Sequence, residues 1–178
     1  MKKTLVLMLL CLILTNAWSQ TEQTNIIKVN PLSFLVATGS AFFEHKIDNN
    51  HSWQLGLAYL GYTDLSIKYA GVAITPEYRI YFQKNAMSGL YVGPFLRYQN
   101  YKLTNDMNAT AKYTSFGGGV LFGRQWVYRK GFVLDAFAGP IYNAGSLSNI
   151  TDGAIFNKPG FGIDGFGIRA GLSLGFGF

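Results

Sequence analysis

Apolar and polar residues alternate with a period of two along most of the chain. In the clearest stretch, Val72 to Gln83, the even positions are apolar and the odd positions include Glu77 and Arg79. Successive side chains of a β-strand point to opposite faces of a sheet, so this stretch predicts a strand with one apolar and one polar face. The same pattern predicts eight strands, over residues 27–37, 40–47, 52–62, 72–83, 88–101, 111–127, 132–143 and 164–178.

Two of these strands are irregular. In the first, Pro31 and the apolar run that follows it blur the alternation. The sixth contains Gly117, Gly118 and Gly119, which predict a bulge or a bend there. The connections after the first one alternate in length along the chain. Tight turns are predicted at 48–51, 84–87 and 128–131, and long loops at 63–71, 102–110 and 144–163, which puts the turns at one end of the sheet and the loops at the other.

The character of the two strand faces indicates where the protein interior lies. The polar face is small or mixed, whereas the apolar face is long and almost free of charge. A soluble two-sheet sandwich has a charged outer face, and it is the alternative interpretation. A barrel with lipid outside and a polar lumen inside fits this pattern better than a sandwich does. Eight tilted strands can cross a bilayer, and closing the sheet into a barrel satisfies their backbone hydrogen-bonding groups. We therefore predict an all-β fold, an eight-stranded antiparallel up-and-down transmembrane β-barrel.

Composition and the first residues add location and domain organisation. Charged residues make up 13% of the 178 residues, about half of the roughly 25% typical of soluble proteins. Lys2 and Lys3 precede the apolar run 5–14, and Ala17-Trp18-Ser19 has the small residues of a cleavage site. This predicts a cleaved signal peptide over 1–19 and one barrel domain over 20–178. The basic residues form no cluster, so no nucleic-acid partner is predicted.

The end of the chain resembles the last strand of bacterial outer-membrane β-barrels, which ends in an aromatic residue with apolar residues at alternate positions before it. The matching residues are Leu172, Leu174, Phe176 and Phe178. This resemblance implies a bacterial outer-membrane location and recognition by the barrel assembly machinery. The whole pattern is similar to small OmpA-like and OmpX-like barrels. The segments 28–33, 43–44 and 91–95 resemble a Bacteroidetes family of small outer-membrane proteins of unknown function, which implies no activity.

Alternation also predicts which charges point into the lumen. They are three acids and four bases: Glu44, Lys46, Glu77, Arg79, Arg97, Asp135 and Arg169. An eight-stranded barrel is just wide enough for side chains to fill, and buried charges must be paired. We therefore expect an ion-pair network that plugs the lumen, with amides from Gln54, Gln83, Gln99 and Gln125. A filled lumen gives a substrate no entry, so no catalysis is predicted.

Motifs for cofactors and metals are weak. Gly160–Gly165 matches G-x-G-x-x-G, but a strand follows it where a dinucleotide-binding fold needs a helix. His45 and His51 lie six residues apart with no cysteine nearby, which is no recognised metal pattern. Both also lie at the tight-turn end, away from the outer leaflet where lipid-modifying barrel enzymes work. No cofactor and no metal are predicted.

The predicted long loops carry cations at or beside them, namely Lys68, Lys102, Lys112 and Lys158. One hypothesis is that these lysines contact lipopolysaccharide phosphates. The expected function is therefore a monomeric, non-enzymatic outer-membrane protein with a structural or surface-interaction role through its long loops, and with an unknown surface partner. The alternatives are a narrow channel for small solutes and, behind it, a lipid-modifying enzyme.

Overall fold

Eight antiparallel strands form a closed barrel in the computed structural model, which describes residues 23–64, 67–83, 86–128, 131–149 and 163–178. Each strand pairs with its neighbours in the chain, and β1 closes the ring against β8. The predicted all-β up-and-down fold is confirmed; the predicted signal peptide lies outside the described residues. The strands are β1 Asn25–Val29, β2 Thr38–Lys46, β3 His51–Asp64, β4 Ile67–Tyr81, β5 Gly89–Asn105, β6 Thr110–Val127, β7 Phe132–Asn149 and β8 Gly165–Gly177.

The alternation seen in the sequence separates the inside of the barrel from the outside. On β4, Thr75, Glu77 and Arg79 are buried in the lumen, whereas Ile74 and Tyr78 are exposed on the outer wall. The other strands alternate in the same way. The polar face is therefore the inside of the protein, and the apolar face is the outside. Among the described residues, no helix is long and apolar enough to cross a bilayer.

The outer wall carries an apolar band between two rows of exposed aromatic side chains. On β7 the band runs from Phe132 to Tyr142, which at about 3.3 Å per residue and a tilt of about 40° is roughly 25 Å high. Arg124 is a charged residue on this face, and its guanidinium lies 5.1 Å from the Trp126 ring centroid, beside the lower row. One row holds Tyr59, Tyr98, Phe116, Tyr142 and Phe166; the other holds Trp53, Phe82, Phe132, Phe176 and Phe178.

The first predicted strand is wrong beyond Val29. Residues Pro31–Val36 form a short 3₁₀ helix instead of extending β1. Asn30 caps this helix, because its side chain accepts a hydrogen bond from the Leu32 amide at 3.0 Å. Proline at the first helical position has no N–H to lose and a fixed φ that suits a helix. Ala37 then ends the helix in the left-handed conformation, with φ of 49°.

The predicted long loops are also corrected. Strand β3 ends at Asp64 and β4 begins at Ile67, so only residues 65–66 separate the two strands in the sequence. Strands β5 and β6 leave only residues 106–109 between them. The strands continue because their inward side chains still bury apolar surface beyond the outer band, in a cluster of Tyr101, Leu103, Ala109, Ala111 and Tyr113. Four connections lie at this end, which we call the loop end: β1–β2 holds the 3₁₀ helix, β3–β4 and β5–β6 are short, and β7–β8 is the longest.

The three consecutive glycines of β6 cause no bulge. The β6 register with β5 and with β7 runs without a slip on either side of Gly117–Gly119. A Cβ at Gly119 would overlap the Pro140 carbonyl oxygen, and a Cβ at Gly117 would overlap the side chain of Asn143. These glycines therefore allow neighbouring strands to approach each other closely. Their presence does not require a bend in β6.

Candidate functional site

Lys28 occupies the middle of the lumen, although it lies on the shortest strand. Its Nζ lies 2.6 Å from Glu44 Oε2, 2.6 Å from Gln125 Oε1 and 2.9 Å from Asp135 Oδ2. The side chain is fully buried. An ammonium group has three donors, and here each of them has an acceptor. The charge is thus compensated by two carboxylates and one amide.

Arg79 repeats this arrangement from the opposite wall. Its Nη1 lies 2.9 Å from Asp135 Oδ2 and 3.3 Å from Glu44 Oε2, so two carboxylates are shared between one arginine and one lysine. Its Nε donates to Glu77 Oε1 at 2.7 Å. The second oxygen of Glu77 accepts from Arg169 Nη1 at 3.0 Å. The result is one connected chain of buried charges.

Hydroxyl groups complete the network. Ser52 Oγ and Tyr81 Oη each donate to Glu44 Oε1 at 2.6 Å. Tyr91 Oη donates to Asp135 Oδ1 at 2.9 Å, and its ring faces the Arg79 guanidinium at 4.2 Å. We call this set the lumen network. It takes one or more side chains from every strand of the barrel: Lys28, Glu44, Ser52, Glu77, Arg79, Tyr81, Tyr91, Gln125, Asp135 and Arg169.

Most of the inward charges named from the sequence meet in this network. Glu44, Glu77, Arg79, Asp135 and Arg169 all belong to it. Within the described residues, Arg97 and Lys46 take no part in it. Lys46 lies half-buried at the last residue of β2, at the end of the barrel where the tight turns lie.

Lys28 is the member that sequence reasoning missed. The uncertain alternation of the first strand left its inward positions unassigned. Asn30-Pro31 was the available signal, because an Asn cap followed by proline marks a helix start and would have ended the strand before it. Among the amides, Gln54, Gln99 and Gln125 are buried as expected, but Gln83 lies beyond the end of β4 and is exposed.

A cavity of about 340 Å³ lies above the lumen network, toward the loop end. Arg97 and Arg169 line it together with the aromatic rings of Phe42 and Phe137. The Arg169 guanidinium lies 5.1 Å from the Phe137 ring centroid. The Nε atom of Arg97 is buried without a hydrogen-bond partner among the described residues. The cavity therefore combines positive charge with walls that carry both apolar side chains and the polar side chains of Asn30, Ser33, Thr38, Ser40 and Thr75.

Two of the cations predicted at or beside the long loops, Lys68 and Lys102, fall within predicted loops but lie on strands, and Lys112 lies on the sixth strand as predicted. Lys68, Lys102 and Lys112 are exposed on β4, β5 and β6, beyond the aromatic row of the loop end. Lys102 and Lys112 are direct cross-strand partners, and Lys68 pairs with Thr104, next to Lys102 in its diagonal position. Like charges opposite each other in a sheet repel. These three residues, the lysine patch, form one basic area; Lys158 lies outside the described residues.

Neither histidine belongs to a metal site. His45 Nδ1 lies 2.8 Å from Asn25 Oδ1, and His51 Nδ1 lies 2.8 Å from the Asp48 carboxylate in the β2–β3 turn. Within the described ranges, no group of three His, Cys, Asp or Glu side chains could hold a metal ion. Hydrogen bonds from the Asn50 backbone amide, and then from the His51 side chain, lower the pKa of Asp48. Of Gly160–Gly165, residues 163–165 are described, and Gly165 begins β8.

The alternating residues of the predicted assembly signal, Leu172, Leu174, Phe176 and Phe178, face outward. Leu174, Phe176 and Phe178 are exposed on the outer wall, and Leu172 lies on the same face of β8. The backbone of Phe178 exchanges hydrogen bonds with Asn25, at 2.8 and 2.9 Å. The chain end is therefore part of the seal between the first and last strands.

Comparison with known proteins identifies one family. The family model described as "Protein of unknown function (DUF3575)" matches residues 5–151. No curated protein matches the chain, and no solved structure matches it.

Proposed function

Because the chain belongs to the DUF3575 family, whose function is unknown, we propose its function from the arrangement of its own side chains: a non-enzymatic β-barrel protein of the bacterial outer membrane. The main observation in support is that the charged side chains lie inside the barrel and a band of exposed apolar residues lies outside. An apolar band of about 25 Å between two aromatic rows is the pattern of a barrel that spans a bilayer. This proposal includes three finer points: an OmpA-like or OmpX-like barrel, a cleaved signal peptide, and recognition of the last strand by the assembly machinery.

The lumen network supports a closed pore and a structural role. Each carboxylate in the middle of the lumen is paired with a cation, although Arg79 Nη2 has no hydrogen-bond partner among the described residues, and apolar clusters lie on both sides of the network. At the end of the tight turns the cluster consists of Ile26, Met87 and Val133. Water and solutes would have to displace these groups to pass. We therefore propose that the barrel is plugged and does not work as a small-solute channel or as an enzyme.

The lysine patch supports the surface-interaction part of the proposal. It lies just beyond the aromatic row of the loop end, where the phosphates of lipopolysaccharide would lie if this end faced outward. Repulsion between Lys102 and Lys112 would be relieved by an anion bound between them. The proposed partner at this position is lipopolysaccharide, around a monomeric barrel.

Electrophoresis of the outer-membrane fraction, with and without boiling in SDS, tests the proposal. A closed membrane barrel is expected to change its mobility on boiling, and the protein is expected in that fraction alone. Recovery in the soluble periplasmic fraction with no mobility change would contradict it. Planar-bilayer recording of the purified protein tests the plug, and we expect no stable conductance.

A further inference from the structure

The barrel wall is interrupted between β2 and β8 in its loop-end half. Strand β1 pairs with β8 only from Leu174 to Gly177, and with β2 only from Ala41 to His45. Above Val29 the edges of β2 and β8 have no strand between them within the described residues. The 3₁₀ helix packs there instead, tied by the Asn30 amide to the Ser40 carbonyl at 3.1 Å. We call this stretch the β2–β8 seam, made of Asn30–Val36, Thr38–Ser40 and Gly165–Ser173.

The cavity extends to this seam. Its lining includes inward residues, among them Thr75 and Arg97, and residues of the seam, among them Val36 and Ile168. The wall there is formed by the 3₁₀ helix and not by a strand of the hydrogen-bonded ladder. The cavity that Arg97 lines therefore borders the interruption in the ladder.

Charge balance leaves this cavity positive. The carboxylates of the lumen network, Glu44, Glu77 and Asp135, are already engaged by Lys28, Arg79 and Arg169. Arg97 is the cation left over among these described lumen residues, and its Nε has no hydrogen-bond partner among them. A buried cation without a counterion is costly, and an anion beside it would remove that cost.

From this geometry we propose that the cavity binds an anionic amphiphile, a molecule with an acid group on an acyl chain. The acid group lies between Arg97 and Arg169, and the chain leaves through the β2–β8 seam past Val36 and Ile168. Arginine presents a planar fork of donors that suits a carboxylate or a phosphate. A cavity of about 340 Å³ is at the lower end of the range for small-molecule sites, which suits one chain and not a multi-chain lipid. This proposal rests on the proposed membrane location, because it takes a ligand from the lipid side.

Binding of carboxyl-¹³C-labelled dodecanoate to the full-length protein, folded in neutral maltoside micelles, tests the proposal by NMR. We expect a bound carboxylate signal that saturates at one site per barrel. Dodecyl phosphate is expected to displace it. Dodecanol, which lacks the charge, and acetate or inorganic phosphate, which lack the chain, are expected not to. Displacement of dodecanoate by inorganic phosphate would indicate a simple anion site and overturn the proposal. Displacement by dodecanol as effective as that by dodecyl phosphate would overturn it too.

Two variants locate the site. Arg97→Gln removes the excess charge without breaking an ion pair among the described residues, and is expected to weaken dodecanoate binding by about tenfold or more. Ser40→Leu places a larger side chain in the cavity and is expected to abolish the bound signal. Arg124→Gln makes the same substitution on the outer wall, outside the cavity and the lysine patch, and is the matched control. Unchanged binding in both cavity variants would refute the site.

The boiling-dependent mobility change separates this result from the proposed membrane fold. If the wild-type protein shows the change but gives no bound signal, the ligand proposal fails and the membrane barrel stands. If the change itself is absent, the membrane proposal fails first. Each variant is tested for the same change before its binding is compared.

Discussion

Lys28 Nζ lies 2.9 Å from Asp135 Oδ2, although 107 residues separate them in the chain. The contact joins the first strand to the seventh, which lie on either side of β8 in the closed ring. Both side chains are almost wholly buried, so neither charge can be left to water. This pair therefore ties the shortest strand, which the ladder with β8 holds over only four residue pairs, to the rest of the ring.

Replacing Lys28 by methionine is expected to destabilise the barrel. The change keeps the length of the side chain but removes the charge that faces Glu44 and Asp135. Removal of one partner from a buried ion pair costs about 3–5 kcal/mol, because the other charge stays buried. The urea midpoint for unfolding from lipid vesicles should fall accordingly. Lys46→Met, at the rim of the barrel, is the control; an equal midpoint for both variants would contradict the assignment.

Adding one methyl group at Gly123 is expected to disturb the lumen network. A Cβ at this position would overlap the ring of Tyr91, the side chain that donates to Asp135. Overpacking of a full interior costs about 1–3 kcal/mol. Gly123→Ala should therefore lower the unfolding midpoint. Gly61→Ala, where the added atom would make only an ordinary contact with Tyr59, should leave it within experimental error.

An arginine on the outer wall tests whether lipid surrounds the barrel. Leu96 is about half exposed in the apolar band of β5, one outward position before Tyr98 of the aromatic row. Leu96→Arg is expected to cost about 2 kcal/mol in a bilayer, because the cost of a charge on the lipid face rises from the interface toward the midplane. Asn100→Arg, beyond the aromatic row, should cost about 1 kcal/mol or less. Equal and small effects would indicate water on this face, since exposed substitutions in soluble proteins change stability by about 0.5 kcal/mol or less.

Neutralising the lysine patch is expected to weaken contact with lipopolysaccharide. The triple change of Lys68, Lys102 and Lys112 to glutamine removes three charges from one face. A basic residue near an anionic membrane surface contributes about 1 kcal/mol, so affinity should fall on the order of tenfold or more. Binding of purified lipopolysaccharide, measured at two salt concentrations, checks this. Lys46→Gln at the opposite end is the control, and unaltered binding by the triple variant would refute the contact.

Asp48 gives the β2–β3 turn a dependence on pH. Its carboxylate accepts from the Asn50 amide at 2.7 Å and from the His51 amide at 2.9 Å. These bonds favour the charged form and lower the pKa below its ordinary value of 3.8. Stabilisation from Asp48 is therefore present above pH 3.8 and lost as the pH falls through the lowered pKa. The difference in midpoint between wild type and Asp48→Ala should shrink over that range; a constant difference would argue against it.

Period-two alternation was sufficient for the fold and for most inward charges. It placed Glu77 and Arg79 on one face and Ile74 and Tyr78 on the other, as the structure has them. It failed at β1, because a local cap at Asn30 and the fixed φ of Pro31 replaced the strand by a helix. With that boundary misplaced, Lys28 had no assigned face.

The strand ends were misplaced for a different reason. Beyond the apolar band the outer positions become polar, as at Lys68 and Lys102, and the sequence pattern predicts loops at those positions. The ladder continues there because Tyr101 and Tyr113 stack inside the barrel, with ring centroids 6.4 Å apart. Such a contact depends on which strands are neighbours, which the alternation of a single strand does not contain.

The lumen network also has a consequence for how the barrel folds. The first four strands bring Lys28, Glu44, Glu77 and Arg79, but the carboxylate of Asp135, which both Lys28 and Arg79 contact, arrives only with β7. A partly built sheet would therefore lack an acceptor that its two buried cations share. Joining of the two chain ends is what satisfies the set. We expect folding to be strongly cooperative, with no stable half-barrel on the way.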